Sequence, residues 1–369
     1  MLKRTSAHSP TAAGRLVYLE HESRVLADNP LGDPHIRQLP VWLPPAYLAT
    51  RSKRRFPVLF DLVGFTGSGH SHVAWRNFDE SVPEQAARLI AEKRMGAAII
   101  VFPDCFTALG GNQYINSSAI GRYADYLTRE LIPFVDGEFR TLADREHRGC
   151  FGKSSGGYGA IVHAMKYPQY WGAIADHSGD AHFDVVYRGD WPKALNLLAR
   201  YRRPAHKQGR YRIGVHTAQT APGVDDGRIG RFLTSVREKK NPSGDEVMAL
   251  MMLAMAASYD PAPSAPNGFK VPFDLETAEL LPARWKRWLA HDPIHMVRVH
   301  RKALKSMKGI FIDCGWRDQF NIHYGSRILS RELTKAGVNH VYEEFDATHS
   351  GIDYRMDRSL PFLYRALKP

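Results

Sequence analysis

Short, nearly continuous apolar runs recur along the chain, and most of them end in a polar or glycine-rich turn. The clearest are FPVLFDLV at residues 56–63, AAIIVF at residues 97–102 and GIFID at residues 309–313. Runs without apolar–polar alternation are typical of strands that are buried on both faces, as in parallel sheets covered by helices. Further strands are predicted at residues 16–20, 36–43, 147–151, 172–176 and 341–345.

Segments with helical patterning separate these strands. The predicted helices cover residues 83–95, 119–131, 155–166, 327–336 and 357–367. Repeated alternation of strand and helix is the pattern of βαβ units. The sequence therefore predicts an α/β fold with a doubly wound, mostly parallel sheet.

The region from residue 181 to residue 304 lacks this alternation. It contains a methionine-rich stretch at residues 247–257, a proline-rich loop at residues 260–274 and the segment ARWKRWLAH. We expect an α/β core made of residues 1–180 and 305–369, with residues 181–304 as a largely helical insertion that covers the substrate site. An oligomer interface or a remote appendage is the alternative role. The apolar side chains expected to pack there are Met248, Met251, Met252, Met255, Trp285 and Trp288.

Composition excludes several classes of protein. The chain has 369 residues and only three cysteines, with no CxxC spacing, which argues against a disulfide framework and a zinc–thiolate site. The histidine pairs in GHSH and at residues 291 and 295 have no evident third ligand. We therefore expect no metal and no cofactor.

The formal charge of +12 comes from short basic clusters at residues 51–55, 200–212 and 300–308. No nucleic-acid-binding module accompanies them, so no specific nucleic-acid partner is expected. No apolar run reaches the roughly 20 residues that a membrane-spanning helix needs, and no apolar segment follows the first ten residues, MLKRTSAHSP. We expect a cytoplasmic protein without a membrane partner, and assembly of identical chains is left open.

The strongest chemical signal is the pentapeptide Gly152-Lys153-Ser154-Ser155-Gly156. It directly follows a predicted strand and directly precedes a predicted helix. This is the context of a nucleophile elbow, in which a sharp turn exposes a serine hydroxyl at the carboxyl end of the strand. Ser154 is therefore predicted to be a catalytic nucleophile.

A serine nucleophile needs a histidine base, which in turn needs an orienting carboxylate. In α/β folds that carry such an elbow, the acid and then the histidine follow the serine along the chain. His349 lies in the loop after the last predicted strand, and Asp318 lies in the loop after the preceding one. Asp313 is the alternative acid, although its position in the strand suggests a structural role.

The negative charge that develops on the substrate needs two backbone N–H donors. Ser155, the residue after the nucleophile, should supply one, and Phe65, in the loop after the third strand, should supply the other. Asp104, Asp180 and Trp316 follow predicted strands, at the sheet edge where ligands bind in open α/β sheets. We expect these three residues to line or support the substrate pocket; for Asp104 and Asp180 the alternative is that each merely caps a turn.

The motifs LPPAY, FDLVGFTG, VFPDCFTALGGNQYINS, GKSSGGYGA, HSGD, FIDCGWRD and EEFDATHSG together resemble a known family. The chain resembles the esterases that include esterase D, feruloyl and acetyl-xylan esterases, mycolyltransferases and enterochelin esterase, the last being the most similar branch. The resemblance implies an α/β-hydrolase fold with Ser154, Asp318 and His349 as the triad. Two departures bear on the substrate: Val63-Gly64 replaces a frequent His-Gly pair, and the insertion is longer.

Three functions follow as hypotheses. The first is hydrolysis of a small-molecule carboxylic ester through an acyl-enzyme, where the ester is a siderophore-type trilactone, a feruloyl or acetyl sugar ester, or a simple acyl ester. The second is acyl transfer to an alcohol at the same site. The third is a binding protein that keeps the scaffold without catalysis.

Overall fold

The structure, a computed structural model, describes residues 14–49, 53–202 and 225–369. Within these ranges the strands are β1 (Arg15–Glu22), β2 (Ile36–Leu43), β3 (Val58–Leu62), β4 (Ile99–Val101), β5 (Asn116–Ser117), β6 (Gly121–Arg122), β7 (Arg148–Lys153), β8 (Ala173–His177), β9 (Gly309–Gly315) and β10 (Val341–Phe345). The small pair β5–β6 forms a separate hairpin.

The other eight strands form one sheet in the order β1-β2-β4-β3-β7-β8-β9-β10. β1 pairs with β2 and β2 with β4 in antiparallel fashion, and every other neighbouring pair is parallel. Phe60 of β3 lies opposite Val101 of β4 on one side and Cys150 of β7 on the other. The predicted mostly parallel α/β sheet is therefore confirmed.

Helices cover both faces of this sheet. The α-helices are α1 (Pro45–Leu48), α2 (Gly69–Val73), α3 (Val82–Ala91), α4 (Tyr123–Asp125), α5 (Ile132–Glu138), α6 (Ser155–Lys166), α7 (Phe183–Val186), α8 (Trp191–Ala199), α9 (Arg228–Arg237), α10 (Gly244–Tyr259), α11 (Pro282–Leu289), α12 (Pro293–Met296), α13 (Arg301–Lys305), α14 (Ile322–Lys335) and α15 (Met356–Leu367). A π-helical segment, Tyr126–Leu131, connects α4 to α5, and single 3₁₀ turns lie at Arg145–His147, Arg188–Asp190 and Asp353–Arg355.

Three predicted helices have different bounds in the structure. The helix expected over residues 327–336 already begins at Ile322. The helix expected over residues 83–95 ends at Ala91, because Lys93 turns to a positive φ of 59°. The helix expected over residues 119–131 starts only at Tyr123, since Gly121 belongs to the β5–β6 hairpin.

The core consists of two apolar clusters, one on each face of the sheet. Phe60 and Cys150 belong to one cluster, whereas their strand neighbours Leu59 and Phe151 belong to the other. This alternation follows from the two-residue period of a strand, so a run that is apolar at every position is buried on both faces.

The described parts of the insertion, residues 181–202 and 225–304, contain α7 to α13. Met252, Met255, Trp285 and Trp288 are buried, and they belong to the same cluster as Phe60 of the sheet, while Met248 and Met251 are partly buried against it. The insertion thus shares a core with the sheet, and its role as a cover of the site stays a prediction. The basic cluster at residues 200–212 lies mostly outside the described residues, as do residues 51 and 52 and the first 13 residues.

Cys105, Cys150 and Cys314 are buried and unpaired, as the sparse cysteine count predicted. Across the three described ranges, none of the helices combines the length and the apolarity that crossing a bilayer requires.

Candidate active site

Ser154 occupies a sharp turn between β7 and α6. Its backbone angles, φ 57° and ψ −122°, lie in a region that non-glycine residues rarely adopt and that is found mainly at functional sites. The surrounding backbone is very close: a Cβ added at Gly152 would lie 2.0 Å from the Leu62 carbonyl oxygen, and one at Gly156 would lie 1.7 Å from it. Both flanking positions of the motif must therefore be glycine for the turn to pack beside β3.

Backbone hydrogen bonds hold the strained residue in place. The Ser154 N–H donates to the His177 carbonyl at 2.9 Å, and the Ser154 carbonyl accepts from the Tyr158 N–H at 2.9 Å. Ser154 itself is only half-buried. The turn thus presents a rigidly held serine at the carboxyl end of a central strand.

His349 and Asp318 are joined at the ends of neighbouring elements. The His349 Nδ1 lies 2.7 Å from Asp318 Oδ2, and Asp318 Oδ1 accepts from the Phe320 N–H at 2.8 Å. The His349 N–H donates to Gln319 Oε1 at 2.9 Å, and the Phe320 ring packs edge-on against the imidazole at 4.9 Å. Because a carboxylate only accepts, Nδ1 carries the proton, and Nε2 of the neutral ring is an acceptor.

Within the described residues, no hydrogen bond joins the Ser154 hydroxyl to the His349 ring. Such bonds are often long in free enzymes and tighten when substrate binds. The sheet brings Ser154 and the partner of His349, Asp318, to one edge, since Ser154 follows β7 and Asp318 follows β9, with only β8 between these strands.

Asp313, the alternative acid, points to a different partner. Its carboxylate accepts from His177 Nδ1 at 2.6 Å and from Arg355 Nε at 2.8 Å. His177 is itself bonded through Nε2 to the Ser359 hydroxyl at 2.8 Å. Asp313 is therefore part of a buried polar group that does not include His349.

The loop after β3 lies against the elbow. A Cβ added at Gly64 would come within 3.5 Å of the Ser154 Cβ. Phe65 and Ser155 line one small cavity, with a volume of about 10 Å³, which is room for about one water molecule. Ser155 is the first residue of α6, and the N–H groups of a first helical turn have no acceptor within the helix. The Phe65 N–H has no acceptor among the described residues either.

The model of the esterase family, described as "Putative esterase", matches residues 35–357. The chain belongs to this esterase family. The family resemblance inferred from the sequence motifs is thereby confirmed, while the assignment to the enterochelin-esterase-like branch stays a prediction.

Two curated relatives from Mycobacterium tuberculosis are Esterase MT1326 of strain CDC 1551 and Esterase Rv1288 of strain H37Rv. Each is 31% identical to the chain over 173 residues, a match that covers 45% of this chain and 33% of the relative. The matched region thus spans about a third of the length of these relatives.

Solved structures of similar fold include a ferulic acid esterase, with 18% identity and a TM-score of 0.55 over 96% of this chain and 98% of that one. An S-formylglutathione hydrolase from Agrobacterium tumefaciens has 16% identity and a TM-score of 0.55, covering 96% of both chains. FphF, a fluorophosphonate-binding serine hydrolase of Staphylococcus aureus, has 14% identity and a TM-score of 0.54 over 95% of this chain and 98% of that one. These likenesses establish the α/β-hydrolase fold.

Of the residues expected to line the pocket, Asp104 has a structural partner. Its carboxylate lies 3.2 Å from the Nη1 of Arg37, a buried arginine that also donates to the Phe106 carbonyl at 2.9 Å. A buried guanidinium needs such a countercharge. The pairing with Arg37 is enough to account for a carboxylate at position 104 without a ligand. The contact of Asp104 with substrate stays a prediction.

Asp180 is buried and supports another side chain, Gln113. Asp180 Oδ2 accepts from Gln113 Nε2 at 2.9 Å and from the Tyr187 hydroxyl at 2.8 Å. Burial raises the pKa of the Asp180 carboxyl, and these two hydrogen bonds oppose the rise only in part. Gln113 lines the cavity between Phe65 and Ser155, and the sequence analysis missed it.

Trp316 lies in the loop that carries Asp318 and is 48% exposed. Its N–H donates to the Phe345 carbonyl at 3.0 Å, which fixes the backbone and leaves the indole at the surface, with the Arg317 guanidinium 5.6 Å from the ring centroid. The exposed ring is available to an aryl or acyl group, and that role also stays a prediction.

A cluster of charged and polar side chains around Asp353 connects the elbow to the loop of His349. Asp353 lies 3.3 Å from Lys153 Nζ and also pairs with Arg76, while Gln85 Nε2 donates to the Asp353 carbonyl at 3.1 Å. Burial tends to raise the pKa of Asp353, but Lys153 and Arg76 outweigh it and hold the pKa at about 2. Lys153 precedes the serine and Asp353 follows His349 by four residues, so this ion pair joins the two elements.

Proposed function

We propose that this protein hydrolyses carboxylic esters through a covalent acyl-enzyme formed on Ser154. The observation that carries the proposal is the strained, partly buried serine of the β7–α6 turn, whose neighbour Ser155 lines a small cavity together with Phe65. The Asp318–His349 pair at the same sheet edge supplies a base whose tautomer is fixed. Membership of the esterase family supports the same reaction.

In the first half of the reaction, Ser154 Oγ attacks the ester carbonyl carbon while His349 Nε2 takes the hydroxyl proton. The carbonyl electron pair moves to the oxygen, which accepts hydrogen bonds from the N–H groups of Phe65 and Ser155. When the tetrahedral intermediate collapses, the bond to the alcohol oxygen breaks and His349 gives the proton to that oxygen. The alcohol leaves, and the acyl group remains on Ser154.

In the second half, His349 removes a proton from water, which attacks the acyl carbon. The bond to Ser154 Oγ breaks, the serine regains its proton and a carboxylic acid is released. Asp318 keeps the Nδ1 proton in place and stabilises the imidazolium that forms twice in the cycle. An alcohol in place of water would give acyl transfer with the same residues.

The residues around the serine indicate which kind of ester the site would bind. We place Trp316 at the rim of the pocket and assign the insertion, residues 181–304, to its cover. Tyr187 and Tyr259 of the insertion contact Gln113, which lines the cavity next to Ser155, and this contact supports the assignment. A small-molecule ester with an acyl or aryl group is the substrate that fits an apolar cover.

The experiment is a steady-state and stopped-flow assay of the purified full chain on p-nitrophenyl acetate, butyrate and octanoate and on ethyl ferulate. We expect turnover of at least one ester and a burst of p-nitrophenol equal to the enzyme concentration, which reports the acyl-enzyme. Methanol added to the reaction distinguishes hydrolysis from transfer through the methyl ester formed.

The matched control is Ser154→Ala, measured on the same esters after circular dichroism has verified the fold. Turnover by the variant within tenfold of the wild type would contradict the proposal. The same holds if the wild-type protein cleaves none of the esters and gives no burst.

A further inference from the structure

The loop between β4 and β5 holds a fully buried amide beside the proposed oxyanion site. Gln113 is not exposed at all, and it lines the cavity that Phe65 and Ser155 also line. Gln113 and Tyr114 both have a φ of 56°, which is uncommon for residues with a Cβ. Two consecutive strained residues require a surrounding structure that enforces them, and such strain is found mainly at functional sites.

Three contacts enforce the strained loop. The Tyr114 hydroxyl donates to the Val63 carbonyl at 2.7 Å, and the Tyr114 carbonyl accepts from His163 Nε2 at 2.8 Å. The Tyr114 N–H donates to Asn112 Oδ1 at 2.8 Å. Val63 immediately precedes the loop of Phe65 and His163 belongs to α6, so Gln113 is fixed relative to both donors of the proposed oxyanion hole.

The orientation of the Gln113 amide follows from its neighbours. Nε2 lies 2.9 Å from Asp180 Oδ2 and 2.7 Å from the Tyr259 hydroxyl. Asp180 Oδ2 accepts hydrogen bonds from both Gln113 Nε2 and the Tyr187 hydroxyl, so the amide nitrogen faces Asp180 and the amide oxygen faces away. That oxygen, Oε1, is buried and has no hydrogen-bond partner among the described residues.

A buried carbonyl oxygen without a donor is unfavourable and uncommon in native structures. Asp180, Tyr187 and Tyr259 together hold the amide in the orientation that leaves Oε1 unpaired. A group that arrives with the substrate and donates a hydrogen bond would satisfy it.

We propose that Gln113 Oε1 accepts a hydrogen bond from a hydroxyl on the acyl group of the substrate, close to the ester carbonyl. The proposal rests on ester hydrolysis at Ser154, since it places the acyl group by the N–H donors of Phe65 and Ser155. Gln113 lines the same small cavity as Phe65 and Ser155, so a hydroxyl next to the ester carbonyl would lie beside Gln113. The side chains that line it beside Gln113 include Val63, Phe65 and Cys105, which are uncharged, so a neutral donor fits better than an ammonium.

The test compares kcat/KM for matched pairs of p-nitrophenyl esters: 2-hydroxypropionate against propionate, and 3-hydroxybutyrate against butyrate. Each ratio is divided by the ratio of the hydroxide-catalysed rates, which removes the inductive effect of the hydroxyl group. A site built to bond a hydroxyl discriminates strongly against the analogue that lacks it. We expect the corrected ratio to be at least about tenfold for one of the two pairs.

Gln113→Met removes the acceptor at similar length, and we expect the corrected ratio to fall to about one. Gln38→Met, a change of the same type at an exposed position of β2, should keep the wild-type ratio. A ratio that survives in Gln113→Met overturns the proposal.

The wild-type ratios decide the matter even if Gln113→Met does not fold. Wild-type ratios near one for both pairs, together with good turnover of propionate or butyrate esters, overturn this inference and leave ester hydrolysis standing. If none of the four esters is cleaved and no burst appears, the proposed function and this inference fail together.

Discussion

Among the described residues, two sets of serine, histidine and aspartate stand out, and they differ in whether their surroundings resemble those of an active site. In the first set, the His349 Nδ1 is 2.7 Å from Asp318, and Ser154 lies at the same sheet edge. Ser154 has the strained backbone of an elbow, and the next residue, Ser155, lines a small cavity.

In the second set, His177 Nδ1 is 2.6 Å from Asp313, and His177 Nε2 is 2.8 Å from the Ser359 hydroxyl. By hydrogen bonds alone this set is the better formed of the two. All three residues are buried, however, and Ser359 lies inside the regular helix α15. The Arg355 guanidinium also bonds Asp313.

The difference between the two sets shows which features make a serine reactive. A histidine whose two nitrogens are both occupied, with a serine that no substrate can reach, stabilises the fold. Ser154 differs by its partial exposure, by the strained turn that holds it, and by the N–H groups of Phe65 and Ser155 that we propose as oxyanion donors. The exposure of the serine and the N–H donors next to it therefore distinguish the proposed site from the structural set. The hydrogen bonds between histidine and its partners do not distinguish them.

The largest expected effect separates the two serines. Ser154→Ala should lower kcat for ester hydrolysis by about 10⁶, because the nucleophile is lost. Ser359→Ala should leave kcat within a few-fold of the wild type and lower the free energy of unfolding by about 1–3 kcal/mol, since His177 Nε2 loses its partner. Kinetics and urea denaturation of both variants measure the two effects, and loss of activity in a folded Ser359→Ala protein would contradict the comparison.

The second prediction separates the two acids. Asp318→Asn should lower kcat by about 10⁴, because the amide favours the wrong tautomer of His349. Asp313→Ala should instead lower the free energy of unfolding by about 3 kcal/mol, because it removes a buried partner of Arg355. The loss is limited because Glu343 still pairs with that arginine. If the Asp313 variant loses activity per folded molecule and the Asp318 variant keeps it, the assignment of the acid is wrong.

The smallest effect concerns the ion pair of Asp353 and Lys153, which joins the loop of His349 to the elbow. Asp353→Asn should lower kcat about tenfold with little change in KM, since misplacing a catalytic group slows the chemical step. A normal kcat in this variant would show that the ion pair does not position the catalytic groups.

The same variant also tests the pKa of Asp353. Its folded-state pKa, at about 2, lies below the ordinary value of 3.8 for an aspartate, so its contribution to stability is present above pH 4 and is lost as the pH falls toward 2. The difference in unfolding free energy between wild type and Asp353→Asn should therefore shrink between pH 6 and pH 3 in urea denaturation. A difference that grows over that range would contradict the depressed pKa.

Local sequence was sufficient for the sheet and for the residues of the elbow. The apolar runs around Phe60 and Cys150 directly reflect burial on both faces, and the glycines around Ser154 are required by the approach of β3 within van der Waals distance. Strand order in the chain also placed Asp318 and His349 at one edge.

Features that depend on distant residues could not be predicted. Gln113 is held by Asp180 and Tyr259, which lie 67 and 146 residues further along the chain, and nothing in its local sequence indicates a buried amide. The partner of Asp104 is Arg37, on a strand that the sequence pattern located but could not pair. The late start of the helix at Tyr123 depends on Gly121, whose φ of 147° belongs to a hairpin and not to a helix.

The most direct test of the central claim is to identify the serine that becomes covalently modified. The purified protein is treated with a fluorophosphonate, digested and analysed by tandem mass spectrometry, with ester hydrolysis followed in parallel. We expect one phosphonylated residue, Ser154, with stoichiometric loss of activity, and no modification of Ser359. Modification of a different serine, or full loss of activity with Ser154 unmodified, would contradict the account.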